Sequence, residues 1–221
     1  VVGQLIEAET DNHLWSETYD NDIDDIFSIQ TSIAKEIAAS LKTQITESEK
    51  SVIEDKLTDN IEAYELYLKV MELRSSTMTL LFSKREIRMN LLNNIIDMDP
   101  EFAEAYAVLS IENAEMVHFG NDKGQSRIDM AKENLDKAYK LKPYSPVVRF
   151  AYGYYYYGCF KDYYNALEHF KYALLKEPGK AEYNQYIGYV HRRLGNWDEM
   201  LHYFEKSLVL NPNDMSLRLN L

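Results

Sequence analysis

Two groups of aromatic and polar side chains have the types and the spacing to bind a partner. Tyr154 and Tyr157 lie three residues apart within a tyrosine-rich run, and helical spacing places them on one face. The second group follows the same spacing further along the chain: Gln185, Tyr189, Arg192 and Arg193. Tyrosine is a common anchor at protein interfaces, and arginine can hold a carboxylate through two hydrogen bonds. The two groups therefore predict a surface that binds a protein or peptide.

Each group also has a simpler structural interpretation. Tyr154 and Tyr157 can pack between neighbouring helices instead of facing a partner. Arg192 and Arg193 can form a solvated helix end, where cations match the helix dipole. Tyr152 and its neighbour Tyr156 lie four residues apart, and we expect them in core positions. The sequence leaves both interpretations of the binding surface open.

No motif for catalysis or for metal binding occurs. The sequence has no glycine-rich phosphate loop, no Gly-x-Ser-x-Gly and no His-Glu-x-x-His. The acidic run Asp20–Asp25 begins like a calcium loop, but Asp25 replaces the required glycine and Thr31 the required glutamate, so it predicts a helix start. Cys159 is interpreted as a small packed residue. We therefore expect no catalytic residue, no metal ion and no cofactor.

The net charge of −12 at pH 7 is concentrated near the start of the chain. Residues 1–59 contain four lysines and fourteen acidic residues, whereas the remainder is nearly neutral. Without a basic stripe, we expect no nucleic-acid binding and no attraction to an anionic membrane. One cysteine and the absence of a recognisable signal peptide indicate a cytoplasmic protein.

Four of the five prolines recur at nearly regular intervals from residue 100 onward. Successive separations are 43, 35 and 34 residues for the series Pro100, Pro143, Pro178 and Pro212. Each of these prolines follows an apolar helical stretch, where proline stops a helix. A period of about 34 residues with proline at the end of each unit is typical of a repeat built from two antiparallel helices.

The positions within each unit strengthen this assignment. Gly153 and Gly188 occupy a position where two helices must approach closely, and Phe170 and Phe204 follow in the second helix. The chain therefore resembles the tetratricopeptide repeat family, although Leu68 replaces the glycine in the first unit. The resemblance implies a mostly α fold, an α-solenoid of helix-turn-helix repeats. Its expected units are 61–102, 103–145, 146–180 and 181–214, with the start of a further helix after them.

Residues 1–57 do not follow the repeat. Their pattern predicts a β-hairpin and one long helix over Asn21–Ile45. The segments 4–10, 13–19 and 25–30 resemble the end of the TolB-like α/β domain that precedes tetratricopeptide repeats in bacterial signalling proteins. In such relatives an adenylate or guanylate cyclase or a winged-helix regulator often lies upstream. We therefore expect the chain to be a fragment of a longer protein.

The predicted function is a non-catalytic protein–protein interaction module of a bacterial signalling protein. Its concave groove, lined by first helices, would bind a peptide or a helix. Two alternatives remain: the regulatory half of a class III nucleotide cyclase, and a self-association module that forms a homodimer through the hairpin. Ala107 and Ile111 stand where chaperone-binding relatives carry polar ligands, so we expect no binding of chaperone tails.

Overall fold

The computed structural model describes residues 2–7, 10–18, 26–41, 56–74 and 83–218. The chain divides into two compact units, Val1–Ile61 and Glu62–Leu221. The predicted class, mostly α with a hairpin before the helices, is confirmed. Within the described ranges, none of the helices has both the length and the apolar character needed to cross a membrane.

The first unit contains a two-stranded antiparallel sheet and one helix. Strand β1 is Val2–Glu7, strand β2 is Asn12–Thr18, and helix α1 is Ile26–Ser40. Leu5 pairs with Trp15, and the register shifts at the next residue. The Trp15 indole N–H donates to a carboxylate oxygen of Glu36 at 2.5 Å, which connects β2 to α1. The acidic run 20–25 lies outside the described residues, and the TolB-like origin of this unit stays a prediction.

The second unit consists of helices that alternate as the first and second members of successive pairs. The first helices are α2 Ile61–Arg74, α4 Ala103–His118, α6 Pro146–Tyr155 and α8 Ala181–Leu194. The second helices are α3 Arg85–Met98, α5 Gln125–Leu141, α7 Tyr163–Lys176 and α9 Trp197–Leu210. A short helix, α10 Met215–Arg218, follows.

Small residues let the helices of the later pairs approach closely, as the sequence predicts. A Cβ atom on Gly153 would lie 2.5 Å from the Phe170 ring, and one on Gly188 would collide with the Phe204 ring. In the α4–α5 pair the corresponding residue is Ser110, whose hydroxyl donates to the Ala131 carbonyl at 2.7 Å. The aromatic rings of the second helices thus occupy the space that a larger side chain would need.

The pair α2–α3 departs from this arrangement. Leu68, which replaces the glycine, is 43% exposed, and α2 and α3 approach each other far less closely than the helices of the later pairs. Helix α3 instead buries Leu92 and Ile95 completely and packs beside α4. With leucine in place of glycine at the contact position, this pair lacks the close approach that glycine allows in the later pairs.

An extra residue in the third repeat forms a π-helical turn. Ala166 lies thirteen positions after Gly153, whereas Met200 lies only twelve positions after Gly188. The structure places the additional residue in the π-helical turn Tyr156–Phe160, directly after α6. A single π turn is the usual way for a helix to absorb one inserted residue. It leaves the contact between Gly153 and α7 in register.

We predict that Gly188→Leu lowers the free energy of unfolding by about 1–3 kcal/mol, because the new side chain overpacks the contact with Phe204. Gly179 is the matched control, since a Cβ there has no atom within 4 Å and its backbone has no positive φ. Gly179→Leu should unfold nearly like the wild type. Urea denaturation monitored by circular dichroism measures both variants. Equal stability of the two variants would show that the repeat register is misassigned.

Candidate functional site

Tyr154 and Tyr157 lie at the centre of an aromatic cluster between three first helices. Their ring centroids are 6.2 Å apart, and Tyr186 from α8 lies 5.2 Å from the Tyr154 ring and 6.2 Å from the Tyr157 ring. His118, the last residue of α4, lies 5.1 Å from the Tyr157 ring. Burial raises the pKa of Tyr154 well above its usual range. The cluster fixes α4, α6 and α8 relative to one another.

The depth of this cluster corrects the expected accessibility of the tyrosines. Tyr154 is 1% exposed and Tyr157 is 4% exposed, so neither ring offers a surface to a partner. The expected core residues Tyr152 and Tyr156 are only half-buried, and both stack on His169 of α7. Tyr154 and Tyr157 are buried because Tyr186 and His118 fill the space between the first helices. These two residues come from neighbouring repeats, so the spacing within one helix does not reveal the burial.

The predicted residues of α8 form a connected row that solvent can reach. The Gln185 side-chain amide donates to the Tyr189 hydroxyl at 3.1 Å and to the Asp214 carboxylate at 3.0 Å. The Arg192 guanidinium lies 5.0 Å from the Tyr189 ring centroid, within the range of a cation–π interaction. These three side chains are half-buried.

Arg193 is exposed and faces the aromatic cluster instead of the row. Its side chain hydrogen-bonds to Tyr157, and this interaction raises the pKa of Arg193. The structure therefore brings two of the predicted site residues, Arg193 and Tyr157, together. Their hydrogen bond joins two repeats. The roles of all six predicted residues in binding stay a prediction.

A cation that the sequence analysis missed, Lys161, lies beside this contact. The Lys161 ammonium lies 3.0 Å from Nδ1 of His118 and donates to the Gly158 carbonyl at 2.9 Å. Burial lowers the pKa of His118 to about 4, and the positive charges of Lys161 and Arg193 act in the same direction. Lys161 and His118 are 43 residues apart, so no local spacing indicates their contact.

Cys159 lies in the same π-helical turn and is partly buried. Burial raises the pKa of its thiol to about 11, although the charge of Lys161 opposes this shift. A thiol with a raised pKa is protonated near neutral pH and is a weak nucleophile. These properties agree with the interpretation of Cys159 as a packed residue.

A buried network of ion pairs lies where α2 and α3 meet α4. Glu112 of α4 accepts from Arg74 of α2 at 2.6 Å and from Arg88 of α3 at 2.7 and 2.8 Å. Glu115, one turn later, accepts from Arg85 at 2.9 Å. The side chains of Arg88 and Glu112 are completely buried. This network joins both helices of the first pair to α4.

The two glutamates of the network titrate in opposite directions. Burial alone would raise the pKa of Glu112, but the charges and hydrogen bonds of Arg74 and Arg88 hold it below its ordinary value of 4.5. Burial raises the pKa of Glu115, and the neighbouring charge of Glu112 adds to this effect. Ionised Glu112 therefore stabilises the fold above its unfolded pKa, and this contribution is lost as the pH falls through its folded pKa. Ionised Glu115 costs stability as the pH rises through its raised pKa.

We predict that Glu112→Gln lowers the free energy of unfolding at pH 7 by about 3 kcal/mol, because it leaves buried arginine charge uncompensated. Glu115→Gln is the matched variant on the same helix and should cost clearly less, since burial and the charge of Glu112 make the ionised form of Glu115 less favourable in the fold than in water. Urea unfolding at pH 7 and at pH 4 tests both. The deficit of Glu112→Gln should shrink at pH 4. An equal loss from both variants at pH 7 would contradict the assignment.

Comparison of the sequence with known proteins gives a partial match. No family model matches the sequence. The chain is 30% identical over 110 residues to a protein of Rhizobium meliloti (strain 1021) named "Putative adenylate cyclase 3". The match covers 49% of the chain and 18% of that relative, so it spans less than a fifth of the relative's length.

A solved structure of low sequence identity shares the fold. The thermophilic TPR protein TTC0263 of Thermus thermophilus superimposes with a TM-score of 0.55 at 18% identity, covering 88% of each chain. The pilF protein of Pseudomonas aeruginosa gives a TM-score of 0.49 at 23% identity, covering 72% of this chain and 67% of that one. The chain has the fold of a tetratricopeptide repeat protein, and about half of it is similar to a segment of the protein named "Putative adenylate cyclase 3".

Proposed function

We propose that the chain is a non-catalytic protein–protein interaction module that binds a peptide or a helix along its first helices. The observation that carries the proposal is the row on α8, where Gln185, Tyr189 and Arg192 are linked to one another and still reach solvent. Such half-buried polar and aromatic side chains lose little conformational entropy on binding. The buried Tyr154 and Tyr157 pack against Tyr186 and so hold the helix that carries this row in place.

The proposed setting is a cytoplasmic signalling protein of a bacterium. The partial match to a protein named as an adenylate cyclase supports this setting. A second proposal follows from the same match: the module regulates a class III nucleotide cyclase domain elsewhere in the same polypeptide. Both proposals assign the present chain a binding role and no catalytic one.

We predict that the triple variant Gln185→Ala, Tyr189→Phe and Arg192→Ala abolishes capture of partner proteins from an extract of the source bacterium. The melting temperature should stay nearly unchanged, because Tyr189→Phe keeps the ring that packs against Phe204. The control is the double variant Tyr164→Ala and Leu175→Ala, which removes side chains that are each 77% exposed on the second helix α7. The control should capture the same proteins as the wild type. Undiminished capture by the triple variant would contradict the proposed surface.

The hairpin supports a further proposal, self-association through a strand edge. Val2 is 61% exposed, Ile6 is 43% exposed and Leu14 is 44% exposed on a sheet of two strands. An uncovered strand edge can pair with a second copy of the chain. The concentrated negative charge of residues 1–59 opposes such pairing, and salt screens that repulsion.

We predict that the average mass of the chain in sedimentation equilibrium increases from low to high salt. Replacing Val2 and Ile6 by lysine should keep the chain monomeric at every salt concentration, because charge on an edge strand prevents pairing. A mass that is independent of salt and equal in both proteins would exclude dimer formation through the hairpin.

A further inference from the structure

We propose that Lys161 and Arg193 form a site for a carboxylate of an acidic peptide, with Phe119 beside it to contact an apolar residue of the same peptide. This proposal rests on the proposed function, because it names the chemistry of the partner at the same side of the first helices. The site itself follows from contacts between three repeats and from the π-helical turn.

The geometry holds the Lys161 ammonium in place before any ligand binds. Two of its three N–H donors point at His118 Nδ1 and at the Gly158 carbonyl, at 3.0 and 2.9 Å. The third donor is left for a ligand. Lys161 has a left-handed backbone with φ of 59°, and it directly follows the π-helical turn. A repeat without the extra residue would place a different residue at this point.

Arg193 offers the second half of the site. One hydrogen bond ties its side chain to Tyr157, which itself is almost completely buried. A guanidinium has five N–H donors, so the others remain for a planar oxyanion such as a carboxylate. The anchored side chain loses little freedom when it binds, which favours affinity.

The local charge is positive on a chain that is strongly acidic overall. Burial lowers the pKa of the Lys161 ammonium, and the positive charges of Arg193 and Lys123 lower it further. The charges of Lys161 and Arg193 add in the same way to the lowered pKa of His118. Within the described residues, no carboxylate lies at ion-pair distance from any of these three cations. Like charges held together without a counter-ion favour an incoming anion.

Two further features favour a peptide carboxylate over a polyanion. The chain has no basic stripe to match the many phosphates that nucleic acid or an anionic membrane carries in a row. Phe119 is 46% exposed and packs edge-on against His118 with ring centroids 4.8 Å apart, so it offers an apolar surface beside the cations. An aspartate or glutamate next to an apolar residue matches this combination.

The test is a fluorescence-anisotropy titration of the full chain with a labelled peptide of alternating glutamate and leucine. A peptide with glutamine in place of glutamate is the ligand control. We expect the acidic peptide to bind, the neutral peptide to bind at least tenfold more weakly, and the affinity to fall with added salt. The His118 ring resonances should shift in NMR spectra when the acidic peptide is added.

Charge-removing variants locate the site. Lys161→Asn suits the left-handed backbone and Arg193→Gln keeps the side chain nearly as long, so both variants should fold. Each should weaken the acidic peptide about tenfold. Lys140→Gln removes an exposed lysine from α5 and should leave the affinity unchanged. If Arg193→Gln changes the melting temperature, only the peptide affinity of Lys161→Asn is used to test the site.

Three results would overturn the proposal: no binding of the acidic peptide, equal binding of the neutral peptide, or wild-type affinity in Lys161→Asn. Inorganic phosphate serves as a free-ion competitor. Displacement of the peptide by phosphate at the peptide's own concentration would show a general oxyanion site and also overturn the assignment. Failure of the peptide to bind while the α8 triple variant still loses its captured partner would refute this inference alone. If the acidic peptide binds but the α8 triple variant captures the same proteins as the wild type, only the proposed function is refuted.

Discussion

The close helix pairs of the solenoid depend on a phenylalanine ring that fills the space a side chain would need, and a glycine leaves that space open. Phe170 against Gly153 and Phe204 against Gly188 bring first and second helices into close contact. Because the ring is rigid and completely buried, each contact fixes both the distance and the register of its pair. The remaining features of the second unit can be understood as consequences of keeping this contact or of losing it.

Keeping the contact explains the π-helical turn. The third repeat has one residue too many between Gly153 and Ala166, and a regular helix would rotate everything after the insertion by about 100°. The turn at Tyr156–Phe160 absorbs the residue locally, so α7 still places Phe170 on Gly153. Directly after the turn, Lys161 adopts a left-handed backbone conformation, which is unfavourable for a residue other than glycine. In the same turn, a Cβ atom on Gly158 would lie 3.1 Å from the Ala114 carbonyl oxygen of α4, so a side chain there would be tightly confined.

The sequence contains the repeats and their contact positions but not the contacts between repeats. Proline spacing and the glycine–phenylalanine pairs predicted the helix pairs, because both features act within one unit. The burial of Tyr154 could not be predicted in this way, because Tyr186 and His118, which cover it, come from neighbouring units. The contact between Lys161 and His118 was missed for the same reason. Spacing within a helix assigns a residue to a face, but only the stacking of units determines what covers that face.

Losing the contact explains the buried ion network. With Leu68 in place of glycine, α2 and α3 do not close on each other, and Arg88 stands where the next two second helices carry Ala131 and Ala166. An arginine can occupy this buried position only if its charge is compensated, and Glu112 accepts two hydrogen bonds from it. Since Glu112 also binds Arg74, the network orders α2 and α3 against α4 and not against each other. Directional ion pairs thus take the place of shape-matched packing in the pair where the glycine is missing.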